Sequence, residues 1–170
     1  QKAIADARAQ AQGALAKAHD EYAAALSNDP NSFAALWRMT RVESEMGEEA
    51  KGEEQKLLVS SAVGHARTAV KLAPDSAIGH VWLAVALGRQ ALKEGPKSRL
   101  ALAREVKSET DRAIALDPTI GRAWHVRAAW NRKIASLNTI ERMAANTVLG
   151  GVPKGASMEN AVGDFQKAIG

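Results

Sequence analysis

The chain contains no cysteine, which excludes disulfides and thiolate-bound metals and leaves the redox compartment open. Aromatic residues supply only 4% of its 170 positions. A core with so few rings must be built from small and aliphatic side chains that let helix backbones approach closely. No apolar run nears the roughly 20 residues of a membrane span, so no transmembrane segment is expected, and no secretory leader pattern is visible. The chain opens on Gln1 rather than methionine, which reads as a processed product or a fragment. Export from a bacterium is preferred here to a cytoplasmic location. The excess of positive charge is small, +4 with a pI near 9.5. It permits an acidic partner without the dense Arg and Lys clusters that nucleic-acid binding brings, so no nucleic acid is expected.

What the chain does have is a phrase written three times: an alanine, an aliphatic, a proline, then a tryptophan. Ala25-Leu26 leads to Pro30 and Trp37, Ala69-Val70 to Pro74 and Trp82, and Ala113-Ile114 to Pro118 and Trp124. The prolines stand 44 residues apart both times. A fixed period of this size signals a helical solenoid, because one helix pair cannot bury its apolar face without a neighbour. The fifth residue before each proline is alanine, and the twelfth is Ala18, Ala62 or Val106. Small size there marks positions where helices cross closely.

Apolar and small residues at three-and-four spacing predict a helix over 2–26, ended by Asn28-Asp29-Pro30. Further helices are predicted over about 32–46 (closed by Gly47), 53–73, 76–94, 98–116 (capped by Ser98) and 119–137. A shorter one over about 139–149 is introduced by Asn138 with Glu141 in a capping box. Gly150-Gly151-Val152-Pro153 ends it, and Ser157 starts a last helix still running at Gly170. No stretch alternates as a strand would. The expected fold is therefore all-α, a right-handed solenoid of about eight helices in a single repeat domain, 1–170. Helix 2–26 would precede repeats at about 32–74, 76–118 and 119–170, the last containing the inserted helix.

The pattern resembles the tetratricopeptide repeat, although the period is longer than the usual 34 residues and the proline-to-tryptophan distance varies over 7, 8 and 6. Three stretches are also similar to the regulator-of-microtubule-dynamics family: Gly79-His80-Val81-Trp82, the run from Asp111 to Pro118, and Lys133-Ile134-Ala135-Ser136-Leu137-Asn138 followed by Ile140-Glu141-Arg142-Met143-Ala144. Thr139 stands where that family has tryptophan, and Arg142-Met143 where it has two lysines. The likeness covers roughly residues 60–170. It implies a tetratricopeptide-like fold used for protein contacts and, in one vertebrate member, organelle tethering with phospholipid held in the repeats. The alanine-rich composition here looks bacterial, so only the fold and a binding role are carried over.

In such repeats the first helix of each pair lines the concave face. The predicted sixth helix carries Arg122, Arg127, Arg132 and Lys133 without an acid, and Arg89 adds a cation on the fourth. Arg122, His125, Ala129 and Arg132/Lys133 fall on one stripe, and Trp130 is placed as a flanking, ligand-facing or inter-repeat aromatic. Ordinary solvated positions are the plain alternative for the charges. Trp37, Trp82 and Trp124 are expected as wedges between paired helices, with Ala25, Ala69, Ala113 and the three prolines as structural positions. No histidine pair has the spacing of a metal site, no serine shows a triad partner in sequence, and Gly150-Gly151 lacks the ending of a phosphate loop. The expected function is therefore a non-enzymatic binding or assembly module for a protein or anionic partner, without cofactor or metal. A lipid or hydrophobic-ligand carrier is the first alternative, and a structural subunit of a larger complex the second.

Overall fold

A computed structural model describes residues 2–148 and 151–170. Among these the fold is all-α, with eight helices in chain order: α1 (Lys2–Asn28), α2 (Phe33–Glu49), α3 (Gly52–Leu72), α4 (Ala77–Ala91), α5 (Pro96–Leu116), α6 (Gly121–Ala135), α7 (Thr139–Val148) and α8 (Met158–Ile169). Among the described residues no helix is long and apolar enough to cross a membrane. The chain forms two compact units, 1–74 and 75–170. In the first, α2 packs against α3 and α1 lies on α2. In the second, α4 packs on α5, α5 on α6, and α6 on α8. Each unit thus repeats the same local step, a helix buried against its successor.

The repeat sets the helix ends to the residue. Each helix before a proline stops two residues short of it, at Asn28, Leu72 and Leu116, and each one after it starts three residues beyond, at Phe33, Ala77 and Gly121. Asp29, Ala73 and Asp117 each donate their N–H to the carbonyl of the alanine four residues earlier, at 2.9, 3.0 and 2.9 Å. Proline then cannot continue the ladder. Asp29 and Asp117 also accept the N–H two residues on, from Asn31 and Thr119 at 3.0 and 2.9 Å, the side-chain turn that favours aspartate there. Ala69 and Ala113 are fully buried, whereas Ala25, on α1 packed chiefly against α2, is half-buried.

With the register uniform, the varying proline-to-tryptophan distance acquires a meaning. Trp37 is the fifth residue of α2, Trp82 the sixth of α4 and Trp124 the fourth of α6. Each step of one residue turns a helix by about 100°, so the three rings point in different directions. Only Trp82 is buried, at 4% exposure; Trp37 and Trp124 are half-exposed. The shared inner positions are instead small. Five residues after each proline stand Ala35, Gly79 and Ala123, and ten after stand Thr40, Ala84 and Ala128, all six buried.

Several ends differ from expectation. Gly47 does not close α2, which runs on to Glu49. Gly47 faces α3, where an added Cβ would lie 3.4 Å from Val59 Cγ2. Gly95, not Ser98, caps α5, because Pro96 occupies its first turn, where a missing N–H costs nothing. The capping box of α7 forms in both directions: Glu141 N–H donates to Asn138 Oδ1 at 2.9 Å, and Asn138 N–H to Glu141 Oε2 at 2.8 Å. Gly151, at φ +89°, returns its N–H to the Ala145 carbonyl at 2.9 Å. Gly150 lies outside the described residues.

Candidate functional site

The second unit carries the positive charge. Residues 75–170 hold fourteen Lys and Arg against nine Asp and Glu, and residues 1–74 hold nine against ten. Within the second unit, α6 contains no acid; it packs on α5 and α8 and more lightly on α4, and one stripe of it remains exposed. On that stripe Arg122, His125, Arg132 and Lys133 are exposed and Ala129 is half-buried. The 122–125–129–132/133 spacing places them along one side of the helix. Arg122 lies with its guanidinium carbon 4.8 Å from the Trp82 ring centroid. His125 meets Phe165 of α8 edge to face, with ring centroids 5.4 Å apart. Both are therefore held by an aromatic surface while their polar atoms face water. Arg89 is half-buried in the last turn of α4.

Other members of the sequence-based set have structural partners. Arg127 is turned inward. Its Nε and Nη2 donate to the two oxygens of Asp164 at 2.9 and 2.7 Å, and its Nη1 to Asp111 Oδ1 at 3.2 Å. The hydrogen bond to Asp164, outweighing burial, raises its affinity for the proton above the ordinary guanidinium value. Trp130 takes the inter-repeat place: it is 6% exposed, and its Nε1–H donates to the Ala103 carbonyl of α5 at 2.6 Å. Its position explains this. Trp130 lies twelve residues after Pro118, the slot that Val42 and Ala86 fill in the other repeats, both buried.

All four tryptophans have a cation over the ring: Arg38 on Trp37, Arg122 on Trp82, Arg127 with Lys167 on Trp124, and Lys107 on Trp130. Such contacts give about 0.5–1 kcal/mol each at exposed sites. They give a structural partner to two of the cations that spacing alone assigned to a groove, Arg122 and Arg127.

Two His–carboxylate contacts escape sequence reading. Glu43 of α2, 2% exposed, accepts the Ser61 hydroxyl at 2.6 Å, while His65 Nδ1 of α3 lies 2.8 Å from its other oxygen. The carboxylate thus takes the serine hydroxyl on one oxygen and the imidazole on the other, joining two side chains of α3 to α2. The group bolts α2 to α3 beneath a cleft of about 420 Å³ bordered by His19, Leu57 and Leu58. In the second unit His80 Nδ1 lies 2.5 Å from Glu109 Oε2 and ties α4 to α5. His65 and Glu109 both stand nine residues before a proline, which is the only signal the sequence offered.

Comparison with known proteins yields a consistent result. The sequence model of the family described as "Regulator of microtubule dynamics protein 1-3" matches residues 3–170. Regulator of microtubule dynamics protein 1 of Caenorhabditis elegans is 31% identical over 133 residues, 78% of this chain and 58% of the relative. The Bos taurus and Homo sapiens proteins of the same description are each 30% identical, over 135 and 134 residues, 78% of this chain and 42% of theirs. The chain thus spans about half the length of the curated relatives it matches.

Proposed function

This chain belongs to the regulator of microtubule dynamics protein 1–3 family, and from that premise we propose that it is a non-enzymatic binding module that docks an acidic protein surface on the open face of α6. The relatives are described as regulators of microtubule dynamics. What transfers in this reading is recognition of a protein partner, with the partner's class set by charge. The observation that carries it is the acid-free stripe Arg122–His125–Arg132/Lys133, exposed on the unit that holds the chain's excess positive charge. Arg122 is held in place by Trp82, so part of the ordering cost of binding is met before a partner arrives. Guanidinium groups also suit carboxylates, which they can engage through two hydrogen bonds at once.

Each charged hydrogen bond of this kind contributes about 1.5–3 kcal/mol, less at an exposed rim. An Arg122→Glu, Arg132→Glu double variant is therefore expected to weaken capture of an acidic partner at least about tenfold with helicity unchanged. An Arg8→Glu, Lys17→Glu double variant on α1 should leave capture intact. The measurement is a pull-down at low salt, where exposed charges are least screened, beside a flotation assay with anionic vesicles. Equal retention of every partner by the α6 variant overturns the reading. Retention of vesicles in place of proteins moves it to a lipid surface.

A further inference from the structure

A second, separate site lies on the other side of α6, between α5 and α8, in a polar cavity of about 340 Å³. Its floor is a closed charge network. Lys107 donates to Asp111 at 2.5 Å, Asp111 and Asp164 share Arg127, and Asn131 donates its amide to Asp164 at 2.9 Å. Two cations and two carboxylates cancel there. What the cavity wall adds comes from α8: Glu159 near its start and Lys167 near its end, both exposed and neither in an ion pair among the described residues. Eight residues of helix put the Cα atoms of these two residues about 12 Å apart along the axis.

Between them the wall is bare. Gly163 lines the cavity midway along α8, and a Cβ added there would meet nothing within 4 Å. Packing does not require glycine at this position, and glycine inside a helix weakens it relative to alanine. A missing side chain facing a polar cavity lets another backbone approach the helix closely. Asn160 at the exposed rim and Asn131 on the buried floor each have an amide oxygen left to accept while the nitrogen is engaged, with the Gly155 carbonyl and with Asp164.

We propose that this cavity binds a short extended peptide with both ends free, laid along α8 over Gly163, its carboxylate on Lys167 and its ammonium group on Glu159. The length fits. Three extended residues span about 10 Å, close to the rise of about 12 Å between the backbone positions of Glu159 and Lys167, and the two side chains close the remaining distance. The amide oxygens of Asn131 and Asn160 accept the peptide's own N–H groups in the middle. The site is independent of the open α6 face, so either can fail without the other.

The test is an amide NMR titration of the 170-residue chain with trialanine, N-acetyl-trialanine and trialanine amide. Free trialanine should shift the Asn160, Gly163 and Lys167 resonances saturably. Capping either end should weaken it at least about tenfold, the loss of one charged hydrogen bond. Gly163→Leu should abolish binding while leaving α8 helical by circular dichroism, because its side chain enters the cavity. Glu159→Gln should reduce the preference for a free amino end, and Lys167→Gln that for a free carboxylate. No saturable shift at millimolar trialanine, equal binding of the capped peptides, or binding that survives Gly163→Leu would each overturn the proposal.

Discussion

Arg127 of α6 and Asp164 of α8 meet in a bidentate pair, Nε to Oδ2 at 2.9 Å and Nη2 to Oδ1 at 2.7 Å. Asp164 has 7% of its side chain exposed, and Arg127 has 23%. The pair joins two helices separated in sequence by the whole of α7, and Asn131 and Asp111 supply further hydrogen bonds to it.

Removing one half of this pair should be costly. Breaking a buried ion pair typically costs 3–5 kcal/mol, because the remaining charge is left without a partner. Here the partial exposure of Arg127 lowers the expectation to about 2–4 kcal/mol for Arg127→Ala. The double Arg127→Met, Asp164→Leu variant should recover much of that loss, since apolar replacements of a buried pair are often neutral. Urea denaturation of the three proteins measures both. A double variant as unstable as the single one would show that the pair's own attraction, rather than an orphaned charge, holds α8.

Ala113 is fully buried where α5 crosses its neighbours, and Val81 and Ala123 share its cluster. Ala113→Leu should overpack that crossing and cost about 1–3 kcal/mol. Ala25→Leu, at the equivalent but half-buried position of α1, should be close to neutral. Thermal melts of the two variants make the comparison, and equal shifts would remove the close crossing as the reason for alanine.

Asp117 binds its proton less readily than an ordinary aspartate, because the Thr119 hydroxyl and then the Thr119 N–H donate to its carboxylate. A folded-state value depressed below the unfolded one contributes stability above the unfolded value, and that contribution is lost as pH falls through the depressed one. The Pro118 turn should therefore loosen on acidification, in the acid range below the ordinary aspartate value. Thr119→Ala should raise the Asp117 titration midpoint toward the ordinary value, read by carbon NMR of its carboxyl. An unchanged midpoint would show that the hydroxyl does not donate to it.

Much of the helical order was legible in one dimension. Proline denies a hydrogen-bond donor to the helix wherever it stands, and aspartate beside it closes the same turn, so a 44-residue period becomes a period of helix ends. The capping box at Asn138 and the cap at Ser157, which accepts the Asn160 N–H at 2.9 Å, are equally local. Counting forward from each proline also finds the inner small positions Ala35, Gly79, Ala123 and Thr40, Ala84, Ala128. The tryptophans conceal that register because they stand seven, eight and six residues after their prolines.

The direction of the side chains was another matter. Trp124 stands two residues nearer its proline than Trp82 does, a turn of about 200°, enough to put it on a half-exposed face while Trp82 stays inside. Trp130 is buried because α5 supplies the Ala103 carbonyl and the apolar wall around it. Arg127 is an inward structural cation because Asp164 reaches it from 37 residues away, and Glu43 is satisfied because α3 brings Ser61 and His65 to it. Turns and caps form between residues within a few positions of each other, so spacing records them. Burial and ion pairing depend on which atoms a second helix delivers, and that is settled only when the helices pack.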